Sequence, residues 1–137
     1  MIESRDHSLH MAESISSIAD SINIPFIFKS SFDKANRTAS DSFRGPDIDE
    51  GLSILSDVKK EIGVPVITDV HLPDQCNTVA EVVDILQIPA FLCRQTDLLL
   101  AAGETGKTIN IKKGQYLAPG KMTFAAEKVS STGNNNI

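Results

Sequence analysis

Lys29, Lys34, Arg37 and Arg44 fall within one stretch of the chain, Lys29 to Pro46 (KSSFDKANRTASDSFRGP), beside Asn36 and a scatter of Ser and Thr hydroxyls. Cations interleaved with small hydrogen-bond donors are what an anion-binding loop needs. Four cations against Asp33 and Asp41 make the stretch net +2 in a chain of −5, leaving −7 elsewhere. Positive charge concentrated on an acidic body suits a small anionic ligand better than a polyanion. A solvated connection is the alternative, but it would not need Phe32, Phe43 and the Gly45-Pro46 stop to fix its shape. Three further candidates sit at or near the ends of apolar runs: Asp69, Gln87 and Lys112.

The elements that must position these residues are legible from periodicity. Met11, Ile15, Ile18 and Ile22 recur at helical spacing and predict a helix over 8–22 with those residues on one face. Ile24 to Phe28 reads as a strand, from whose end the cationic loop leaves. Asp47 followed by Glu50 resembles a capping box opening a second helix, with Ile48, Leu52, Leu55, Val58 and Ile62 as its stripe and Gly63 as its stop. Val64 to His71 predicts a second strand ending in Asp69 and His71. Pro73-Asp74 starts a short helix through Val79, Val82 and Val83. A third strand over 84–92 carries Gln87, a helix runs from Arg94 to Thr105, and a fourth strand over 108–112 ends in Lys112-Lys113. A weaker helix spans Met122 to Val129, and Gly133 to Asn136 reads as a turn with no strand after it.

Alternating strands and helices require parallel strands joined by crossovers, so the expected class is α/β. The polar strand ends would gather at one rim, where barrels and open α/β sheets both place their chemistry. No strand is followed by a GxGxxG or GxxxxGK[ST] loop, which favours a barrel over a nucleotide-binding open sheet. A (β/α)₈ TIM barrel needs about 250 residues. The 137 residues here predict a single incomplete barrel domain over 1–137, with about four parallel strands.

Composition excludes several classes. At 41% hydrophobic and 5% aromatic without Trp, the chain is not disordered, and its core must come mainly from Ile, Val, Leu and Ala. A pI near 5.1 argues against nucleic acid. Cys76 and Cys93 show no metal spacing and read as small, partly buried thiols of a reduced compartment. Neither a membrane span nor a signal peptide is visible, so a cytoplasmic protein is expected.

FKSSFDKANRTASDSFRGP, PVITDVH, ILQIPAFLCRQTDLL and INIKKGQ together resemble the 3-deoxy-D-manno-octulosonate-8-phosphate synthases, in register along nearly the whole chain and in wording closest to plant members. The resemblance implies a (β/α)₈ enzyme condensing phosphoenolpyruvate with D-arabinose 5-phosphate and releasing phosphate, assembled as a homo-tetramer. It implies that Lys29 and Lys34 line the active centre and that Asn36 and Arg37 hold the arabinose phosphate end, helped by Thr38. Asp69 would contact the sugar near its aldehyde. Gln87, Ala90 and Lys112 would hold phosphoenolpyruvate, and Arg94 would reach the sugar phosphate of a neighbouring subunit. No metal or other cofactor is assigned, because the family's first strand would lie before Met1 and its later strands beyond Ile137. The chain thus reads as a segment of a longer protein.

Physical chemistry supports those roles independently: two phosphorylated substrates bring about four negative charges into one pocket, and several cations must tolerate them together. Duller readings stand beside each role. Lys29 and Lys112 could be snorkelling surface lysines, Asp69 a cap or turn residue, and Gln87 an amide satisfied by backbone. His71 is more readily a satisfied rim histidine than a ligand, and His7 and His10 carry no assigned role. Three functional classes therefore remain: a synthase segment inactive by itself, a non-catalytic half-length protein that pairs with a full-length one, and a sugar-phosphate binder using the loop alone.

Overall fold

The computed structural model describes residues 1–137 and divides them into two compact units, Met1–Thr68 and Asp69–Ile137. Each is described in turn.

The first unit opens on α1 (Arg5–Ser21), which starts earlier than its apolar periodicity suggests because Ser4 caps it, its side chain accepting from the His7 N–H. Its buried residues are Ser8, Ala12 and Ala19. The shared apolar face of Met11, Ile15, Ile18 and Ile22 is not the buried one: all four are exposed, Ile18 by 62%. Small side chains let α1 approach α2 (Ile48–Ile62) closely. Arg5 ties the two helices by donating to Asp57 at 2.7 Å and to Glu61. Helix α2 follows its sequence signals, with the Asp47 side chain accepting from Glu50 N–H at 2.8 Å and Gly63 at φ 78° closing the last turn.

The first strand is shorter than its apolar run. Only Phe28 and Lys29 (β1) find a partner, pairing in parallel with Val66 and Ile67 of β2 (Val66–Asp69). Residues Ile24 to Ile27 stay irregular after Asn23, whose φ of 54° turns the chain out of α1. An apolar run makes a strand only where its backbone groups have a ladder to join.

In the second unit α3 (Gln75–Val82) and α4 (Thr96–Glu104) flank β3 (Ile85–Ile88), which pairs in parallel with β4 (Thr108–Ile111). Val70 N–H donates to Gln87 C=O at 3.0 Å, so the chain leaving β2 also runs along β3. The third strand stops short of Leu92 because Pro89 has no N–H to continue the ladder; Ala90–Leu92 forms a 3₁₀ turn instead. A second such turn, Pro119–Lys121, leads into α5 (Met122–Ser130), which packs on α4. Leu86, Ile88, Ile109, Leu98, Leu99, Ala102 and Val129 are buried in this unit.

The last residues do more than turn. Asn134 is buried and donates its amide to the carbonyls of Gly103 (3.1 Å) and Lys107 (2.8 Å). It leads the chain alongside β4, where Ile109 N–H donates to Asn136 C=O at 2.8 Å. The turn is followed by no strand, as expected, although this bond lays the end of the chain against β4. Both cysteines are free and fully buried rather than partly so. Four short strands alternating with helices, with parallel pairing in each unit, give the α/β architecture of a partial barrel, and no helix is long and apolar enough to cross a membrane.

Candidate functional site

Alternation along β1 sends Phe28 inward and leaves Lys29 exposed. The chain then passes through Ser30, Ser31 and Phe32, all buried, before emerging at Asp33. Ser31 is the fixed point of the loop: its carbonyl accepts from Ile2 N–H at 3.0 Å, and its hydroxyl oxygen accepts from the ammonium groups of both Lys29 (2.5 Å) and Lys34 (2.8 Å). The two nitrogens are thus held no more than roughly 5 Å apart. A structure that holds two cations so close is suited to an anion bound between them.

The rest of the loop is pinned by a fork. Arg44 engages Asp33 through Nε to Oδ1 (2.8 Å) and Nη2 to Oδ2 (2.5 Å), and Lys34 N–H donates to Arg44 C=O at 2.7 Å. The hydrogen bond that Arg44 donates to Asp33 holds its guanidinium above its ordinary pKa. Gly45, at φ 118°, is required here, because a Cβ would lie 2.3 Å from the Phe32 carbonyl oxygen. Arg44 is therefore a clasp, its guanidinium committed to Asp33. Asn36, Arg37 and Thr38 lie on the exposed lobe closed by this clasp, with Arg37 Nη2 3.3 Å from Met1 Sδ.

In the second unit, Asp69 is buried at the end of β2 with Oδ2 3.1 Å from His71 Nε2. Gln75, the first residue of α3, accepts from the backbone N–H groups of His71 (2.9 Å) and Leu72 (3.2 Å), which fixes this turn. His71 is thereby a bonded rim histidine. Gln87 and Asn110 are register partners on β3 and β4, and Asn110 Nδ2 donates to Gln87 Oε1 at 3.0 Å. Sequence reasoning missed Asn110; alternation in INIK marks it as facing away from the buried Ile109, but only the register shows that it meets Gln87. Lys112 is exposed just beyond β4, its N–H held by Ile88 C=O at 3.0 Å, and alternation puts it on the face of Asn110. Lys113 points elsewhere, donating to the carbonyls of Gly114 (2.9 Å) and Leu117 (3.0 Å). Ala90 opens the 3₁₀ turn, and Arg94 is exposed just before α4.

The first unit thus joins Lys29 to Lys34 and displays Asn36, Arg37 and Thr38 on one lobe. The second pairs Gln87 with Asn110 on the face where alternation puts Lys112, pairs Asp69 with His71, and leaves Arg94 exposed before α4. No group of three or more His, Cys, Asp or Glu side chains is arranged to hold a metal ion.

All 137 residues match the family model described as the DAHP synthetase I family. The chain is 60% identical over 137 residues to the 2-dehydro-3-deoxyphosphooctonate aldolase of Pisum sativum, covering all of this chain and 47% of that protein. It is 59% identical to the protein of that name from Synechococcus, covering 48% of it, and 55% identical to that of Koribacter versatilis, covering 49%. The chain spans about half the length of the curated relatives it matches. With its whole length matched and parallel strands carrying the cationic loop, the chain belongs to the DAHP synthetase I family.

Proposed function

We propose that this chain carries half of the site of a synthase that condenses phosphoenolpyruvate with D-arabinose 5-phosphate to give 3-deoxy-D-manno-octulosonate 8-phosphate and phosphate. The convergence of Lys29 and Lys34 on the Ser31 hydroxyl is the observation that carries this reading. A carboxylate or phosphate placed there accepts from both ammonium groups.

In the reaction, C3 of phosphoenolpyruvate forms the new bond to the aldehyde carbon of the sugar. Water adds at C2, and the resulting hemiketal phosphate loses inorganic phosphate to leave a ketone. Lys29 and Lys34 stabilise charge around the enolpyruvate, while Asn36, Arg37 and Thr38 hold the sugar phosphate, where the planar fork of Arg suits bidentate capture. Asp69 orients the sugar at its aldehyde end. Gln87, Ala90 and Lys112 hold phosphoenolpyruvate, and Arg94 serves a neighbouring subunit of a homo-tetramer. Positioning of the two reactants supplies much of the acceleration.

The chain by itself is expected to release no phosphate from the two substrates. Completed with the segments of a full-length relative that lie before and after the matched stretch, the resulting fusion should release phosphate only when both substrates are present, and Lys34→Ala should lower that rate by about a hundredfold. A folded fusion that releases none would overturn the synthase reading. Saturable arabinose 5-phosphate binding without turnover in the fusion would instead support a sugar-phosphate binder.

A further inference from the structure

Asparagine is uncommon inside a strand, because its amide competes for backbone groups and packs poorly on a pleated surface. Asn110 nevertheless sits within β4, between Ile109 and Ile111, as the register partner of Gln87 on β3. In a parallel pair such partners stand side by side on one face, and here the two amides meet: Asn110 Nδ2 donates to Gln87 Oε1 at 3.0 Å. The buried Leu86, Ile88 and Ile109 turn to the opposite face and hold both strands in place.

That bond selects one end of Gln87. A glutamine amide carries an acceptor and two donors, and rotation about its last torsion exchanges them at little cost. With Oε1 engaged by Asn110, the NH2 is the end presented to a ligand, on the face where alternation also puts Lys112. Ionised phosphoenolpyruvate offers only acceptors, a carboxylate and a phosphate, so a glutamine with its carbonyl turned outward would oppose it.

We propose that Asn110 is a positioning residue: by holding Gln87 Oε1 it sets the amide so that Nε2 donates to an anionic group of phosphoenolpyruvate beside Lys112. The identity of that ligand rests on the synthase reading, whereas the direction of the bond from Asn110 to Gln87 does not.

Side-chain amide exchange in the full chain reads the bond without any substrate. The Asn110 NH2 should exchange with solvent about threefold or more slowly than that of Gln87, and equal rates or the reverse order would overturn the proposal. Kinetics of the completed fusion read what the bond does. Asn110→Val places a strand-favouring residue on the same face, so the melting temperature should not fall. The KM for phosphoenolpyruvate should rise about tenfold, while kcat and the KM for arabinose 5-phosphate stay within about twofold. With Gln87→Leu already in place, Asn110→Val should add less than about twofold, because no amide is left to orient. Equal rises in both KM values, an unmoved phosphoenolpyruvate KM, or additive effects of the two substitutions would each overturn this inference and leave the synthase reading standing. A folded fusion without turnover overturns the synthase reading, and the same variants are then compared by their dissociation constants for phosphoenolpyruvate. No binding at all overturns both.

Discussion

Side chains of the same charge divide in this protein by the partners the fold gives them. Arg44 and Lys34 sit in the same loop and would be scored alike by composition, yet Arg44 forks onto Asp33 while Lys34 turns toward Lys29. Lys112 and Lys113 divide the same way, the second being used by two carbonyls of its own turn. Cys76 is a committed residue of another kind. Burial, with a smaller contribution from Asp74, pushes its thiol up to about 11. The neutral thiol is therefore favoured by the folded state. Its contribution to stability is fully present below the ordinary thiol pKa near 9 and is lost as the pH rises through about 11. At pH 8 a disulfide reagent should modify Cys76 only as fast as the protein opens, with the rate rising when denaturant is added. Rapid stoichiometric labelling of Cys76 in buffer would refute its burial.

Elements hold the loop through glycine and through caps. Gly51, in the first turns of α2, is buried against Phe32, and a Cβ there would come 2.4 Å from the Phe32 Cβ. Alanine is the better helix former by about 1 kcal/mol, so helix propensity alone predicts that Gly51→Ala stabilises. The contact decides the opposite sign. Phe32 is buried and the clashing atom is its Cβ, not a mobile tip, so the ring and its backbone must move. Overpacking of this kind costs about 1–3 kcal/mol, and the displaced Phe32 is the neighbour of Ser31, which anchors both lysines. Denaturant melts should therefore show net destabilisation, and amide shifts should spread from α2 into residues 29–34. A melt at or above that of the parent would show that the loop does not depend on this contact.

For the whole molecule, the most consequential feature is the apolar stripe that α1 leaves uncovered. Met11, Ile15, Ile18 and Ile22 are exposed together with Ile24 and Ile27, and apolar side chains gathered on one open helical face mark an interaction or aggregation surface. Ile18→Lys combined with Ile22→Lys should lower binding of a hydrophobic dye severalfold and raise solubility without lowering the melting temperature, since neither side chain is buried. A loss of cooperative melting in that double variant would show instead that the stripe is packed. Much of the molecule is legible in its amino acids alone: the alternation of helices and strands, the Asp47 and Gly63 boundaries of α2, the cationic loop and the likeness to a synthase family. Those signals act within about four residues along the chain, through periodicity, caps and turn chemistry, and a sequence carries them directly. The sequence could not decide which face of α1 is buried, that Arg44 is a clasp, that Asn110 orients Gln87, or how few residues of the first apolar run would find a strand to pair with. Each of these depends on a partner distant in the chain, such as Asp57, Asp33, Gln87 or Val66, and only packing and strand register bring such partners within reach.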